Sequence, residues 1–135
     1  MKTRYLIFVL GEQHYGLDIL HVQELRSYEE PTRMPETAPH ILGVTNLRGV
    51  IVGVHDLRKK WGLPHNYNAS TITMVLQLEG SAIAFVVDSV SDVIEIDQST
   101  IQEIPFNEAN TNGIKGVVQH EQFNVLIVDP LLMKT

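Results

Sequence analysis

Gly43-Val44-Thr45-Asn46-Leu47-Arg48-Gly49-Val50-Ile51-Val52-Gly53-Val54 is the stretch on which the fold reading turns. Val44, Leu47 and the run Val50–Val52 favour extended backbone, and Gly49 and Gly53 punctuate them. The segment therefore reads as one long bent strand or as a hairpin. The same grammar recurs on both sides of it. Thr71–Leu78 and Ser81–Asp88 flank the two-residue turn Glu79-Gly80, and Gly116–Gln119 and Phe123–Val128 flank His120-Glu121-Gln122. Arg4–Leu10 and Tyr15–Ile19 flank a break that contains Gly11. Hairpins dominate, and helices are short. Asp56–Trp61 opens on an N-cap aspartate, gains basic residues toward its end and stops at Gly62, while Pro130–Met133 supplies a last turn. Ile19–Leu25 fits a helical turn through Ile19, Val22 and Leu25, or a strand that continues Tyr15, Leu17 and Ile19. Pro31, Pro35 and Pro39 mark one irregular connection and the Asn-rich Phe106–Gly113 a second.

Tyr5–Leu10, Ala82–Val87 and Val125–Val128 are apolar at nearly every position. A sheet with one wet face alternates apolar and polar residues, so strands of this kind need cover on both sides. In an all-β chain of 135 residues the natural arrangement is two small barrels pressed together, with a seam where ligands or partner segments bind.

Composition removes several function classes. A net charge of −6 disfavours nucleic acid or anionic lipid as the main partner, since both need a positive face. The one dense basic cluster, Arg58-Lys59-Lys60, reads as a solvated helix surface. With no cysteine there is no disulfide framework, thiolate metal site or thiol nucleophile, and a reducing compartment is compatible. The apolar Tyr5–Leu10 ends in Gly11-Glu12-Gln13-His14 without a small-residue cleavage site, so it is not a secretion signal. No apolar run reaches the ~18–20 residues of a membrane-spanning helix.

The search for chemistry comes back empty. The six histidines, at 14, 21, 40, 55, 65 and 120, are scattered and lack the i, i+4 spacing of a helical metal site, so surface or packing roles are expected and no metal. His55 and Asp56 point to opposite faces of a strand, which weakens them as an acid–base or metal pair. Asp88, Asp92, Glu95 and Asp97 lack the central glycine of a calcium loop and are expected at strand ends and turns. Phosphate loops, nucleophile elbows and dinucleotide fingerprints are missing. The expectation is a protein without catalysis and without cofactor. The competing enzyme reading, a hydrolase or metal protein using His55, Asp56 and Asp88, requires those side chains to converge.

Taken together, Phe8-x-Leu10-Gly11, Tyr15–Ile19, Val22-Gln23-Glu24, Gly43–Val52, Asp56-Leu57-Arg58 and Val87-Asp88-x-Val90-x-Asp92-Val93 resemble the CheW family of chemotaxis coupling proteins, in order from about Phe8 to Val128. The Gly43–Val52 block is the specific part. The resemblance implies a single domain over residues 1–135 made of two intertwined five-stranded SH3-like barrels with a groove between them. It also implies a cytoplasmic adaptor, recruited to membrane-associated arrays, that couples the cytoplasmic tip of methyl-accepting chemoreceptors to the regulatory domain of a CheA-like histidine kinase. A similar adaptor in a pilus or surface-motility pathway is the alternative. Met1 and Thr135 read as native ends, which favours a stand-alone adaptor over a domain cut from a larger kinase.

The resemblance also nominates residues. Val22, Glu24, Leu25, Gly43, Arg48, Val86 and Val87 are expected at the receptor-binding groove, and Phe106 at the kinase contact. Arg48 reads as a charge inside an apolar strand, expensive unless paired, with Glu24 as partner. If the pair is partly buried, deleting either member costs ~3–5 kcal/mol. Gly43 reads either as a turn or bulge glycine or as the place where a receptor helix approaches the backbone. Val22, Leu25, Val86 and Val87 read as groove walls or as core. Two departures from the family pattern stand out: Gly53 where proline is usual, and His55 where a small apolar residue is usual.

Overall fold

The Gly43 stretch is a hairpin. In the computed structural model, which describes residues 1–35, 37–104 and 113–133, β4 (Ile41–Leu47) and β5 (Val50–Asp56) pair antiparallel about Arg48 and Gly49. Both turn residues have positive φ, 53° and 87°, the geometry whose twist matches the flanking strands. The Asn46 side chain accepts the Gly49 N–H at 2.8 Å and fixes the turn. Arg48 thus lies in the turn and not within a strand, which corrects the sequence expectation.

The other hairpins form where the sequence places them. β1 (Lys2–Leu10) pairs with β2 (Gln13–Asp18), β6 (Ile72–Leu78) with β7 (Ser81–Val87), and β9 (Ile114–His120) with β10 (Phe123–Val128). The ambiguous Ile19–Leu25 divides into a short 3-10 turn, Ile19–His21, and the start of β3 (Val22–Ser27). Ser89–Asp97 is a further nine-residue strand, β8. Asp92 and Glu95 therefore sit within a strand, contrary to the expectation of turns, and their exposed side chains suit an edge position. The two short helices are α1 (Leu57–Lys60), capped by Asp56, and α2 (Pro130–Met133).

The chain divides into two units. One comprises Met1–His21 with Val90–Thr135, and the other, Val22–Ser89, is inserted between them in sequence. The first carries a five-stranded sheet in the order β8-β1-β2-β10-β9 with a core of Tyr5, Ile7, Ile96, Val118, Val125 and Ile127. The second carries β3-β6-β7-β5-β4 around Leu47, Val52, Val54, Val75, Ala84 and Val86. The fully apolar runs are buried without alternation: Tyr5–Phe8, Met74–Leu76 and Ala84–Val87 are all buried.

Within the second unit the sheet curls until its two edges approach. Just after β3, Thr32 exchanges two backbone hydrogen bonds with Val44 of β4, each 2.9 Å. Gly43 makes this closure possible. Its φ is +145°, and a Cβ there would sit 1.9 Å from the Thr32 carbonyl oxygen. The space beside Gly43 is filled by the chain's own backbone, so the expectation that a receptor helix approaches there gives way to an internal contact. Gly43→Ala is expected to destabilise the fold by about 3 kcal/mol or more. Gly49→Ala, strained in φ but uncrowded, should cost about 1 kcal/mol. Urea denaturation of both variants checks the difference.

Candidate protein-interaction site

Glu24 and Arg48, named from sequence as partners, do meet. The Arg48 guanidinium donates to both carboxylate oxygens of Glu24, at 3.0 and 3.3 Å. Glu24 comes from edge strand β3 and Arg48 from the turn beyond the opposite edge, so the pair joins the two rims of the curled sheet. It is not buried, because the Arg48 side chain is 73% exposed while that of Glu24 is 20% exposed. The cost expected for breaking a buried pair therefore does not apply. An exposed bidentate pair contributes at most ~1 kcal/mol to stability, which leaves Arg48 available as a surface cation.

The remaining candidates separate. Leu25, on the face of β3 opposite to Glu24, is 42% exposed, and Val22 is half-buried at the start of that strand. Val86 and Val87 have no exposed surface. Val86 belongs to the core of the second unit, so neither valine offers a wall to a partner, and the core reading replaces the groove reading. Phe106 lies outside the described residues. The exposed neighbours of Arg48 went unnamed in the sequence reading: Val50 and Ile51, just past the turn, are 58% and 62% exposed. The only sequence signal for them is that they abut a Gly turn, and strand propensity alone hides their exposure.

What holds these elements in place is a buried charge network, also missed from sequence. Arg58, expected on a solvated surface, is 1% exposed. Its Nε and Nη2 donate to the two oxygens of Asp56, each at 2.9 Å, and its Nη1 donates to Asp88 at 2.8 Å and to the Asn66 carbonyl at 2.7 Å. Tyr67 donates its hydroxyl to Asp56 at 2.7 Å, stacks on Tyr28 at 4.6 Å and covers the guanidinium at 5.0 Å. Burial works against both charges. The hydrogen bonds from Arg58 and Tyr67 nevertheless hold the Asp56 carboxyl below its usual range, and Asp56 and Asp88 hold the Arg58 pKa above its own. Burial and the Asp56 carboxylate push the Tyr67 phenol up. Asp56 also caps α1 by accepting the Arg58 N–H at 3.0 Å.

His55, Asp56 and Asp88, the three residues named for an enzyme reading, do not converge on one pocket. Asp56 and Asp88 do converge, but on a guanidinium that neutralises them, and the neighbouring His55 ring lies instead against His40 and Phe85, at centroid distances of 5.7 and 5.6 Å. Burial, then the charges of His40 and Lys60, lower the His55 pKa to about 4, and its Nδ1 is buried without a partner. Among the described residues no three His, Asp or Glu side chains are placed to hold a metal, and no helix is long and apolar enough to cross a membrane.

Two five-stranded sheets with only short helices among the described residues define an all-β protein. The comparisons agree. A family model described as the CheW-like domain matches residues 4–133. The chemotaxis protein CheW of Klebsiella aerogenes is 45% identical over 102 residues, 75% of this chain and 61% of that protein, so the match spans less than two thirds of the relative's length. The chemotaxis protein CheW of Bacillus subtilis is 30% identical over 129 residues, 93% of this chain and 83% of that protein. The crystal structure of the scaffolding protein TtCheW from Thermoanaerobacter tengcongensis superposes with a TM-score of 0.88 at 30% identity, covering 96% of this chain and 90% of that one. The chain belongs to the CheW-like family of chemotaxis scaffold proteins.

Two stability measurements follow from the buried network and from His55. Arg58→Ala strands Asp56 in the interior and should cost ~3–5 kcal/mol, whereas Arg48→Ala should cost less than ~1 kcal/mol, both read by urea denaturation. His55 titrates near 6.5 when unfolded and at about 4 when folded, so the unfolded chain binds the extra proton between those values. Stability should fall as pH drops below 6.5 and level off below about 4, by roughly 2–3 kcal/mol. In His55→Phe that slope should vanish. Asp56, held low, contributes only in the more acid window, where its own protonation removes stability.

Proposed function

We propose that the protein is a non-catalytic adaptor that couples the cytoplasmic tips of chemoreceptors to a CheA-like histidine kinase, acting in the cytoplasm at membrane-associated arrays. The observation that carries this reading is the family match over residues 4–133 combined with the exposed Arg48–Glu24 pair. A cation held bidentately on a rim, followed in the chain, past Gly49, by exposed Val50 and Ile51, has the mixture of fixed charge and apolar surface that protein interfaces use. The receptor surface is assigned to Val22, Glu24, Leu25 and Arg48. Gly43 supports it from within, and Phe106 remains assigned to the kinase. The matched relatives are named chemotaxis proteins, which favours this pathway over a pilus or surface-motility one.

Reconstitution of receptor tip, kinase and this protein, with kinase activity as readout, tests the assignment. Arg48→Ala should weaken coupling on the order of tenfold, as loss of ~1.4 kcal/mol at one interface residue does. Lys115→Ala, exposed on β9 of the other unit, should leave it unchanged. The charge swap Glu24→Arg with Arg48→Glu restores the internal pair but not a partner contact, so it should stay impaired. Full recovery in the swap would show that the pair is only structural. Coupling that never exceeds the kinase-alone level with the unaltered chain would reject the adaptor reading.

A further inference from the structure

The face of the second unit behind α1 carries two adjoining concavities of about 310 and 170 Å³. They share Arg33, Leu42 and Lys59. No carboxylate of the described residues lies within ion-pairing distance of Arg33 or Lys59, although the chain has 16 acidic residues against 10 basic ones. Among the described residues, Arg33 and Lys59 line both depressions without a salt-bridged carboxylate, and Glu30 is the one acidic side chain beside them on the larger. The wall of the larger concavity is different in kind. Tyr28 and Tyr67 stack there beside Pro31 and Leu42. The Tyr67 hydroxyl is already committed to Asp56, so this tyrosine presents its ring and not a hydrogen-bonding group. Because that ring is clamped by Asp56 and covers the Arg58 guanidinium, the wall is held in position before any partner arrives, which lowers the ordering cost of binding.

We propose that these concavities dock an acidic segment of a partner protein, with an apolar side chain against the Tyr28–Tyr67 wall and neighbouring carboxylates on Arg33 and Lys59. Three features favour this occupant. Two depressions side by side suit an extended segment that crosses both, whereas a small molecule in one would leave the other empty. The cations select carboxylates over basic peptides. Glu30, on the rim of the larger concavity, penalises a uniformly anionic ligand and favours one that alternates charged and apolar residues. Nucleic acid is disfavoured because its affinity grows with the number of phosphates neutralised, and two cations on a chain of net charge −6 supply little.

The site involves neither Glu24 nor Arg48 and does not rest on the adaptor reading. The test uses the full chain and the blocked hexapeptide Glu-Leu-Glu-Glu-Leu-Glu as probe. Trp61, two residues beyond Lys59, serves as the fluorescent reporter, with calorimetry as a second readout. Saturable binding on the order of 100 μM is expected, weakening several-fold between about 50 and 300 mM salt as surface charges are screened. The double variant Arg33→Ala with Lys59→Ala should lose it by about tenfold or more, with an unchanged thermal midpoint because Arg33 is exposed and Lys59 only half-buried. Lys115→Ala should bind as the unaltered protein does. Equal binding by the double variant, equal binding of Lys-Leu-Lys-Lys-Leu-Lys, or no saturation below about 5 mM would overturn the proposal. So would inorganic phosphate displacing the peptide at peptide-like concentrations, which would make this a small-anion site. Since the probe is neither receptor nor kinase, failure here leaves the coupling function standing.

Discussion

A guanidinium with almost no exposure to water sets the terms for the second unit. Arg58 can persist in the interior only because Asp56, Asp88 and the Asn66 carbonyl meet its donors and Tyr67 covers its face. Each partner comes from a different piece of chain: the end of β5, the residue after β7, and the loop that follows α1. A buried charge of this kind adds little net stability over an apolar replacement, but its geometry is demanding. Any rearrangement that moves one of those pieces strands a charge. The network thereby fixes where β5 ends and α1 begins, and hence the base of the hairpin that carries Arg48.

From that fixed base the surface features follow. The β4–β5 hairpin ends in a turn with two positive-φ residues, which places Arg48 outside the ladder and turns its side chain toward Glu24 on the far edge strand. Gly43 lets the Thr32 segment close against β4 from the other side. The rim is thus held at two points, one a solvated ion pair and one a backbone bridge. Exposed Leu25, Val50 and Ile51 have no role in the core, and nothing in the internal packing of the unit requires them to be apolar. That combination of fixed charge and exposed apolar surface suits a site for meeting another protein.

Much of the fold was legible because hairpins announce themselves. Glu79-Gly80 and the break at Gly11 mark turns that fall where expected, and unbroken apolar runs such as Tyr5–Phe8 are buried at every position. β8 was not legible, since an edge strand with Asp92 and Glu95 exposed lacks the apolar signal of its neighbours. The sites were harder. The Glu24–Arg48 partnership could be named because the Gly43–Val52 block resembles a known family, yet its solvent exposure depends on a turn that sequence leaves open as a bent strand. Arg58 was misplaced for a physical reason: three consecutive basic residues look like a solvated face, and only the fold brings Asp88 and Tyr67 to the first of them. Val86 and Val87 are indistinguishable in sequence from groove-lining valines, and their register inside the sheet makes them core.

The dependence of the rim on the buried guanidinium is most directly tested by amide hydrogen exchange on the unaltered chain and on Arg58→Met, under conditions where both remain folded. If the network anchors the hairpin, the variant loses protection throughout β4, β5 and β7 together, including the amides around Asn46–Gly49. Loss confined to the α1 turn, with the hairpin as protected as before, would contradict it.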